Sequence, residues 1–137
     1  MKVQEVMSKH VESVRPHTTL RQAARKMSDL GIGSLAVIDN DELLGFITDR
    51  DISCHAVAIG RDANSTDVKT VMIKDVTTCY DDQDLTEAVN TMKEHHIRRL
   101  AVVNHDNKIT GVLTVDDLVR ISHDMAGEVL ESATPIH

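Results

Sequence analysis

The segment Gly45-Phe46-Ile47-Thr48-Asp49-Arg50-Asp51 returns later in the chain as Gly111-Val112-Leu113-Thr114-Val115-Asp116-Asp117. Each copy begins as a short apolar strand and passes through Thr-x-x-Asp into the start of a helix. The two copies lie 66 residues apart in a chain of 137 residues. A long internal repeat of this kind predicts two structural units of the same design.

The repeat extends to the N-terminal side of both segments. Val6-Met7 matches Val71-Met72, and Leu35-Ala36-Val37 matches Leu100-Ala101-Val102, each at an offset of 65 residues. The offset then becomes 66, so one residue has been added within the polar stretch Asn104–Lys108. Because insertions are tolerated best in surface loops, this stretch is predicted to be a turn between two strands.

Each copy predicts the element order β-α-β-β-α. Thr19-x-x-Gln22 and Asp84-x-x-Glu87 have the form of capping boxes, and an amphipathic apolar stripe follows each of them. Gly31 stands where the first helix is expected to end, and His96 holds the equivalent place in the second copy. A continuous apolar strand then leads through a polar turn to the strand that carries Thr-x-x-Asp.

Charge and composition exclude several classes of function. The formal net charge of −7 argues against non-specific nucleic-acid binding, which requires a basic surface. No apolar run approaches the length of a membrane span. Met1–Glu5 lacks the charged and then apolar pattern of a signal peptide. We therefore expect a cytoplasmic protein that binds neither nucleic acid nor membrane.

The order of these motifs resembles the cystathionine-β-synthase (CBS) domain. The first copy does so from Val6-Met7 through Ile32–Val37 to Gly45–Asp51, and the second does so through Ile97–Val103 and Gly111–Leu118. The whole resembles a stand-alone tandem CBS pair. The resemblance implies an α+β fold in which two β-α-β-β-α repeats pack with pseudo-two-fold symmetry.

The repeat boundaries predict three segments. Residues 1–62 form the first CBS repeat, residues 63–125 form the second, and residues 126–137 form a C-terminal tail that is helical in part at most. A polar stretch at residues 58–70 is predicted to link the two repeats.

The resemblance also implies a function. CBS pairs bind adenosine-containing ligands (AMP, ADP or ATP, and in some members NAD or S-adenosylmethionine) in clefts between the two repeats, and they regulate a partner rather than catalyse a reaction. The stand-alone proteins often form homodimers through the CBS helices, and the protein partner here is unknown. We therefore expect a regulatory module with an adenine nucleotide as its ligand and no required cofactor. The alternative is a metal-binding or purely scaffolding stress or interaction protein without a nucleotide.

The Thr-x-x-Asp positions are the first candidate ligand-binding residues: Thr48 and Asp51, with Thr114 and Asp117 in the second copy. In the family this Asp accepts hydrogen bonds from the ribose hydroxyls. A carboxylate suits a vicinal diol because it offers two acceptor oxygens. The same spacing also suits a helix cap, and the two roles can coexist.

The segments before the core strands are the second set of candidates. Ile32, Gly33 and Ser34 are replaced in the second copy by Ile97, Arg98 and Arg99, which predicts unequal pockets with phosphate bound by the arginines. The alternative is that both arginines are surface residues paired with acids such as Glu94 or Asp116. By the same resemblance, the extended segments that contain Val14 and Thr78 are expected to form the adenine wall.

A metal site has weaker support. Cys54, His55 and Cys79 are the candidates, but no Cys-x-x-Cys or His-x-x-x-His spacing is present. No nucleophile motif, phosphate-binding loop or zinc-protease motif occurs either. The sequence therefore gives no support to catalysis, and we predict that the protein is not an enzyme.

Overall fold

The computed structural model describes residues 1–133, and these residues fall into two compact units. The first unit is the continuous segment Glu12–Val76. The second unit combines Met1–Val11 with the chain from Thr77 onward. No helix within residues 1–133 is both long enough and apolar enough to cross a membrane.

The first unit contains one three-stranded sheet and its helices. Its elements are β1 (Ser13–Val14), α1 (Leu20–Leu30), β2 (Ser34–Asp39), β3 (Glu42–Thr48), α2 (Asp49–His55), a 3₁₀ turn (Val57–Ile59) and α3 (Val68–Val71). The strand order is β1-β2-β3, in which β1 runs parallel and β3 antiparallel to β2.

The second unit has the same plan. Its elements are a 3₁₀ turn (Val3–Glu5), β4 (Thr78–Tyr80), α4 (Leu85–His95), β5 (Arg99–Val103), β6 (Ile109–Thr114), α5 (Val115–Val119) and α6 (His123–Ala133). The strand order β4-β5-β6 again combines one parallel and one antiparallel pair. The predicted α+β fold with two β-α-β-β-α repeats is therefore confirmed.

The cores of the two units use equivalent positions of the repeat. Leu20, Leu35 and Ile47 are buried in the first unit, and their equivalents in the second unit are buried as well. Those equivalents are Leu85, Leu100 and Leu113. Burial of these side chains supplies the main stabilising free energy of each sheet–helix layer, at about 25 cal/mol per Å² of apolar surface removed from water.

The helix ends confirm most of the predicted caps. Thr19 and Gln22 form the predicted capping box, with Gln22 N donating to Thr19 Oγ1 over 3.2 Å and Thr19 N to Gln22 Oε1 over 3.1 Å. Gly31 and His96 both adopt left-handed backbone conformations after their helices, with φ of 66° and 55°. The box predicted at Asp84 is wrong: its side chain caps no backbone N–H and lies 3.6 Å from the nitrogen of Met1.

The compact units do not coincide with the sequence repeats, whose division into residues 1–62 and 63–125 stays a prediction. Each unit contains the segment that precedes the other repeat, because Met1–Val11 lies in the second unit and the chain up to Val76 lies in the first. The predicted linker at residues 58–70 includes Val68, which is fully buried in the first-unit core. Val3 is equally buried in the core of the second unit.

The predicted C-terminal tail is a packed helix as far as Ala133, and residues 134–137 lie outside the described part of the chain. Ala126 and Val129 of α6 are buried in the core of the second unit. Their spacing places both on one face of the helix. Lys93 of α4 also forms an ion pair of 3.6 Å with Glu128.

Two equivalent glycines allow the preceding segments to join the sheets. Phe46 and Ile73 exchange backbone hydrogen bonds of 3.0 and 2.8 Å beside Gly45. Ser8 and Val112 exchange bonds of 2.9 and 3.0 Å beside Gly111. A Cβ on Gly45 would fall onto the carbonyl oxygen of Ile73, so glycine permits this close approach of two backbones.

Candidate functional site

Thr48 and Asp51 form a reciprocal cap at the start of α2. Asp51 N donates to Thr48 Oγ1 over 3.1 Å, and Thr48 N donates to Asp51 Oδ2 over 3.0 Å. The carboxylate is held in a nearly buried position, since Asp51 is only 7% exposed. The capping interpretation of this Thr-x-x-Asp segment is therefore confirmed for the first unit.

The second oxygen of Asp51 remains available. Among residues 1–133, no group donates a hydrogen bond to Asp51 Oδ1. The described residues also contain no fully buried side-chain nitrogen or oxygen without a partner. Oδ1 is therefore reached by solvent, although the residue that carries it is buried. Such an atom is a fixed, charged acceptor that one ligand donor can reach.

Thr114 and Asp117 repeat the cap in the second unit. Thr114 N donates to Asp117 Oδ2 over 2.9 Å, and Asp117 N donates to Thr114 Oγ1 over 3.3 Å. The hydroxyl of Thr114 also contacts Asp117 Oδ2 at 3.1 Å. The other carboxylate oxygen accepts a 2.8 Å hydrogen bond from the Ser8 hydroxyl, so both oxygens of Asp117 have partners.

Ser8 is a site residue that the sequence reasoning missed. The signal was present in the repeat, since Val6-Met7 aligns with Val71-Met72 and this alignment pairs Ser8 with Ile73. One position thus carries a hydroxyl in one copy and an alkyl side chain in the other. Local helix and strand patterns cannot reveal the effect of this difference, because the hydrogen bond between Ser8 and Asp117 joins residues 109 positions apart in the sequence.

The structure brings Gly33 and Ser34 next to Thr48 of the first unit. Ser34 is the strand partner of Thr48, and Asp49 N donates to the Gly33 carbonyl over 3.0 Å. A Cβ on Gly33 would lie 3.0 Å from Asp49 Oδ2, so a carboxylate fills the space above this glycine. Ile32 is half-buried and packs against the core. We call the residues around the Thr48–Asp51 cap the first-unit half-site and those around the Thr114–Asp117 cap the second-unit half-site. The charged group beside Gly33 in the first-unit half-site is therefore acidic.

Arg98 and Arg99 give the equivalent place in the second unit a positive charge. Arg99 is the strand partner of Thr114, and Val115 N donates to the Arg98 carbonyl over 3.1 Å. Both arginine residues are exposed, while the neighbouring Ile97 is half-buried against the core. Neither guanidinium enters an ion pair within residues 1–133, so the predicted pairing with acids such as Glu94 or Asp116 is not observed.

Val14 and Thr78 lie further along their sheets. Val14 pairs with Val37, three residues beyond Ser34 on β2, which is a separation of about 10 Å along the strand. Thr78 is exposed and pairs with Ala101 in the second unit. Val14 borders a concavity of about 390 Å³ with Arg15 and Asp39, whereas Ile32 and Gly33 border another of about 540 Å³ with Asp49. The structure therefore does not bring Val14 together with Gly33.

The weak metal candidates do not form a shared cluster in the described residues. Cys54 and His55 are exposed at the end of α2, whereas Cys79 is buried in the core of the second unit. No group of three His, Cys, Asp or Glu side chains in residues 1–133 is arranged to hold a metal ion. Burial raises the pKa of the Cys79 thiol to about 11, and the negative charge of Asp81 adds to this shift.

The two cysteines are expected to differ strongly in reactivity. Because the thiolate is the reactive form, a buried thiol with a pKa of about 11 reacts slowly, whereas the exposed Cys54 is accessible. Titration of the folded protein with a disulfide reagent at about pH 8 should modify one thiol per chain quickly and the second only after unfolding. Cys54→Ser should remove the fast phase. Two fast thiols in the folded protein would contradict the buried position of Cys79.

Comparisons with a family model and with known proteins identify the same family. The family model of the CBS domain matches residues 3–55 and 68–124. The CBS domain-containing protein YhcV of Bacillus subtilis is 33% identical over 130 residues, which cover 93% of this chain and 91% of YhcV. Other relatives are longer, and the chain spans 39% of the length of one from Methanocaldococcus jannaschii.

Two solved structures show the same fold with different ligands. Hypoxic Response Protein I with two coordinated zinc ions has a TM-score of 0.79 and 31% identity, covering 89% of this chain and 99% of that one. The CBS domain protein PAE2072 from Pyrobaculum aerophilum, complexed with AMP, has a TM-score of 0.79 and 22% identity, covering 96% and 99%. The two matched segments, the two β-α-β-β-α repeats and the paired Thr-x-x-Asp caps establish that this chain belongs to the CBS domain family.

Proposed function

We propose that this protein is a non-enzymatic regulatory module that binds an adenosine nucleotide such as AMP, ADP or ATP. The observation that carries the proposal is the Asp51 carboxylate. One of its oxygens is fixed by the cap, and the other is solvent-accessible without a partner in the described residues. The AMP bound by PAE2072 supports this ligand class for the fold.

The proposed role of Asp51 follows from its chemistry. The two hydroxyls of a ribose are hydrogen-bond donors, and a carboxylate oxygen accepts from them with the added strength of its charge. The cap with Thr48 holds the carboxylate in place before the ligand arrives, which reduces the entropy lost on binding. Ser34, the strand partner of Thr48, lies along the same edge.

The phosphate group is assigned to the second unit. Arg98 and Arg99 are exposed cations without an ion pair in the described part of the chain. A guanidinium donates to two phosphate oxygens at once, so it binds phosphate in a defined orientation. The equivalent place in the first unit holds Gly33 beside the Asp49 carboxylate, which repels phosphate. We therefore propose two unequal half-sites, of which the second depends more on phosphate.

Regulation then requires that the ligand binds one conformation of the protein better than another. We still predict a homodimer, a cytoplasmic location and a protein partner that responds to this change. Because Hypoxic Response Protein I coordinates two zinc ions, metal binding is the competing hypothesis. No three-residue metal cluster in residues 1–133 favours it.

The test is a dye-based thermal-shift series with AMP, ADP, ATP, NAD and S-adenosylmethionine, with ribose 5-phosphate and zinc as comparisons. A ligand at 100 times its dissociation constant adds about 2.7 kcal/mol to the free energy of unfolding. At about 2–4 °C per kcal/mol, the expected rise in Tm is several degrees. A rise with at least one adenylate supports the proposal. No rise with any adenylate, together with stoichiometric zinc after dialysis, would replace it by the metal hypothesis.

A further inference from the structure

Ser8 and Ile73 occupy the same position in the two copies of the repeat. Each exchanges two backbone hydrogen bonds with the strand that leads to Thr-x-x-Asp: Ser8 with Val112, and Ile73 with Phe46. Each also stands against the glycine of its strand, which is Gly111 or Gly45. The backbones are therefore equivalent, and only the two side chains differ.

The difference acts on the carboxylate of each cap. The Ser8 hydroxyl donates to Asp117 Oδ1 over 2.8 Å, as a ribose hydroxyl would. Ile73 has no donor in its side chain, and the equivalent oxygen of Asp51 has no partner in the described residues. Ile73 is itself 48% exposed, so it is not needed to fill the core.

We propose that Ser8 is an internal competitor for the ribose-binding oxygen of Asp117, which lowers the nucleotide affinity of the second-unit half-site below the value that its arginines would otherwise give. This inference rests on the proposed nucleotide function. A nucleotide that uses Asp117 Oδ1 must share that oxygen with the Ser8 hydroxyl or displace it, whereas Asp51 Oδ1 accepts from no group in residues 1–133. The residue pair Ser8 and Ile73 thus lowers the ribose affinity of the second-unit half-site relative to the first.

The expected size of the effect is about tenfold in affinity. A hydrogen bond to a charged acceptor is stronger than one between neutral groups, and losing it is partly offset by hydration of the released hydroxyl. Ser8 is exposed, so its side chain can rotate away without opening the core. The backbone bonds to Val112 do not depend on the side chain and stay in place when it changes.

The experiment is isothermal titration with AMP of the full chain and five variants. Ser8→Ala should tighten the second-unit site about tenfold, and Ser8→Thr, which keeps the hydroxyl, should resemble the unchanged protein. Ile73→Ser should weaken the first-unit site by up to about tenfold, because it offers Asp51 the same competitor. Adding Asp51→Asn to Ser8→Ala and to the unchanged chain isolates the second-unit site in both.

The outcomes separate this inference from the proposed function. If the unchanged protein binds AMP and Ser8→Ala leaves the affinity of the second-unit site as it was, the competitor role is overturned and the nucleotide function stands. If neither the unchanged protein nor any variant binds AMP, both are overturned. A Ser8→Thr variant that behaves like Ser8→Ala would also overturn the inference, because a hydroxyl would then have no effect. Circular dichroism melts confirm that each variant is folded before titration.

Discussion

Asp51→Asn is expected to weaken AMP binding about 10- to 100-fold. The amide oxygen can still accept from Thr48 N, so the cap at the start of α2 is retained. The amide NH₂ then replaces the accessible Oδ1, and it cannot accept a hydrogen bond from a ribose hydroxyl. Hydrogen bonds to charged groups contribute about 1.5–3 kcal/mol, and each 1.4 kcal/mol is a factor of about ten in affinity. Isothermal titration measures the change.

Asp117→Asn is the matched control for this result. Asp117 already accepts from Ser8 at 2.8 Å and from Thr114 N at 2.9 Å. The same substitution should therefore leave the first-unit AMP site within about threefold, while it lowers the thermal stability, because a neutral amide binds Thr114 N and the Ser8 hydroxyl more weakly than a carboxylate does. Equal losses of affinity in both variants would contradict the proposed difference between the half-sites. An unchanged affinity in Asp51→Asn would leave Asp51 as a helix cap only.

Gly45→Ala is expected to lower the free energy of unfolding by about 2–4 kcal/mol. The new Cβ would fall onto the carbonyl oxygen of Ile73 and also lie 3.2 Å from the sulfur of Met72. A backbone carbonyl cannot rotate away as a side chain can, so the hydrogen bonds between Phe46 and Ile73 must lengthen or break. Urea unfolding followed by circular dichroism measures the loss.

Gly127→Ala is expected to change the free energy of unfolding in the opposite direction. Gly127 lies within α6, and outside the backbone of that helix a Cβ there would meet no atom of residues 1–133 within 4 Å. Alanine favours a helix over glycine by about 0.5–1 kcal/mol, so this variant should be slightly more stable than the unchanged chain. If Gly45→Ala is as harmless as Gly127→Ala, the close approach of the Ile73 backbone to β3 is not required for stability.

Most of the fold could be predicted because it depends on local patterns. The strands, the ends of α1 and the cap at Thr48 each follow from residues within a few positions of one another. The cap at Asp84 could not be predicted, because its carboxylate lies beside Met1, far away in sequence. The burial of α6 escaped prediction for a similar reason, since it depends on a core assembled from distant strands and helices.

The sequence could name the candidate carboxylates, but it could not show which of their oxygens already have hydrogen-bond donors. The sequence pattern identified Asp51 and Asp117 as equivalent, and the structure places both in the same cap. Whether the second oxygen of each carboxylate is available depends on Ser8 and Ile73, which reach the strands from segments before each repeat. Such contacts across the chain are outside the range of local spacing rules.

Because Met1–Val11 belongs to the second unit, the two units are completed at different stages of translation. Glu12–Val76 is continuous, so the first unit has all its residues as soon as Val76 has left the ribosome. Met1–Val11 is made before Glu12–Val76, yet its partners Val112 and Leu85 are made after that segment. Until then the backbone groups of Ser8 lack their partner Val112, and the same segment of a neighbouring copy could take its place. The order of translation therefore favours exchange of the first eleven residues between chains at high expression, and slower synthesis of the second repeat should increase it.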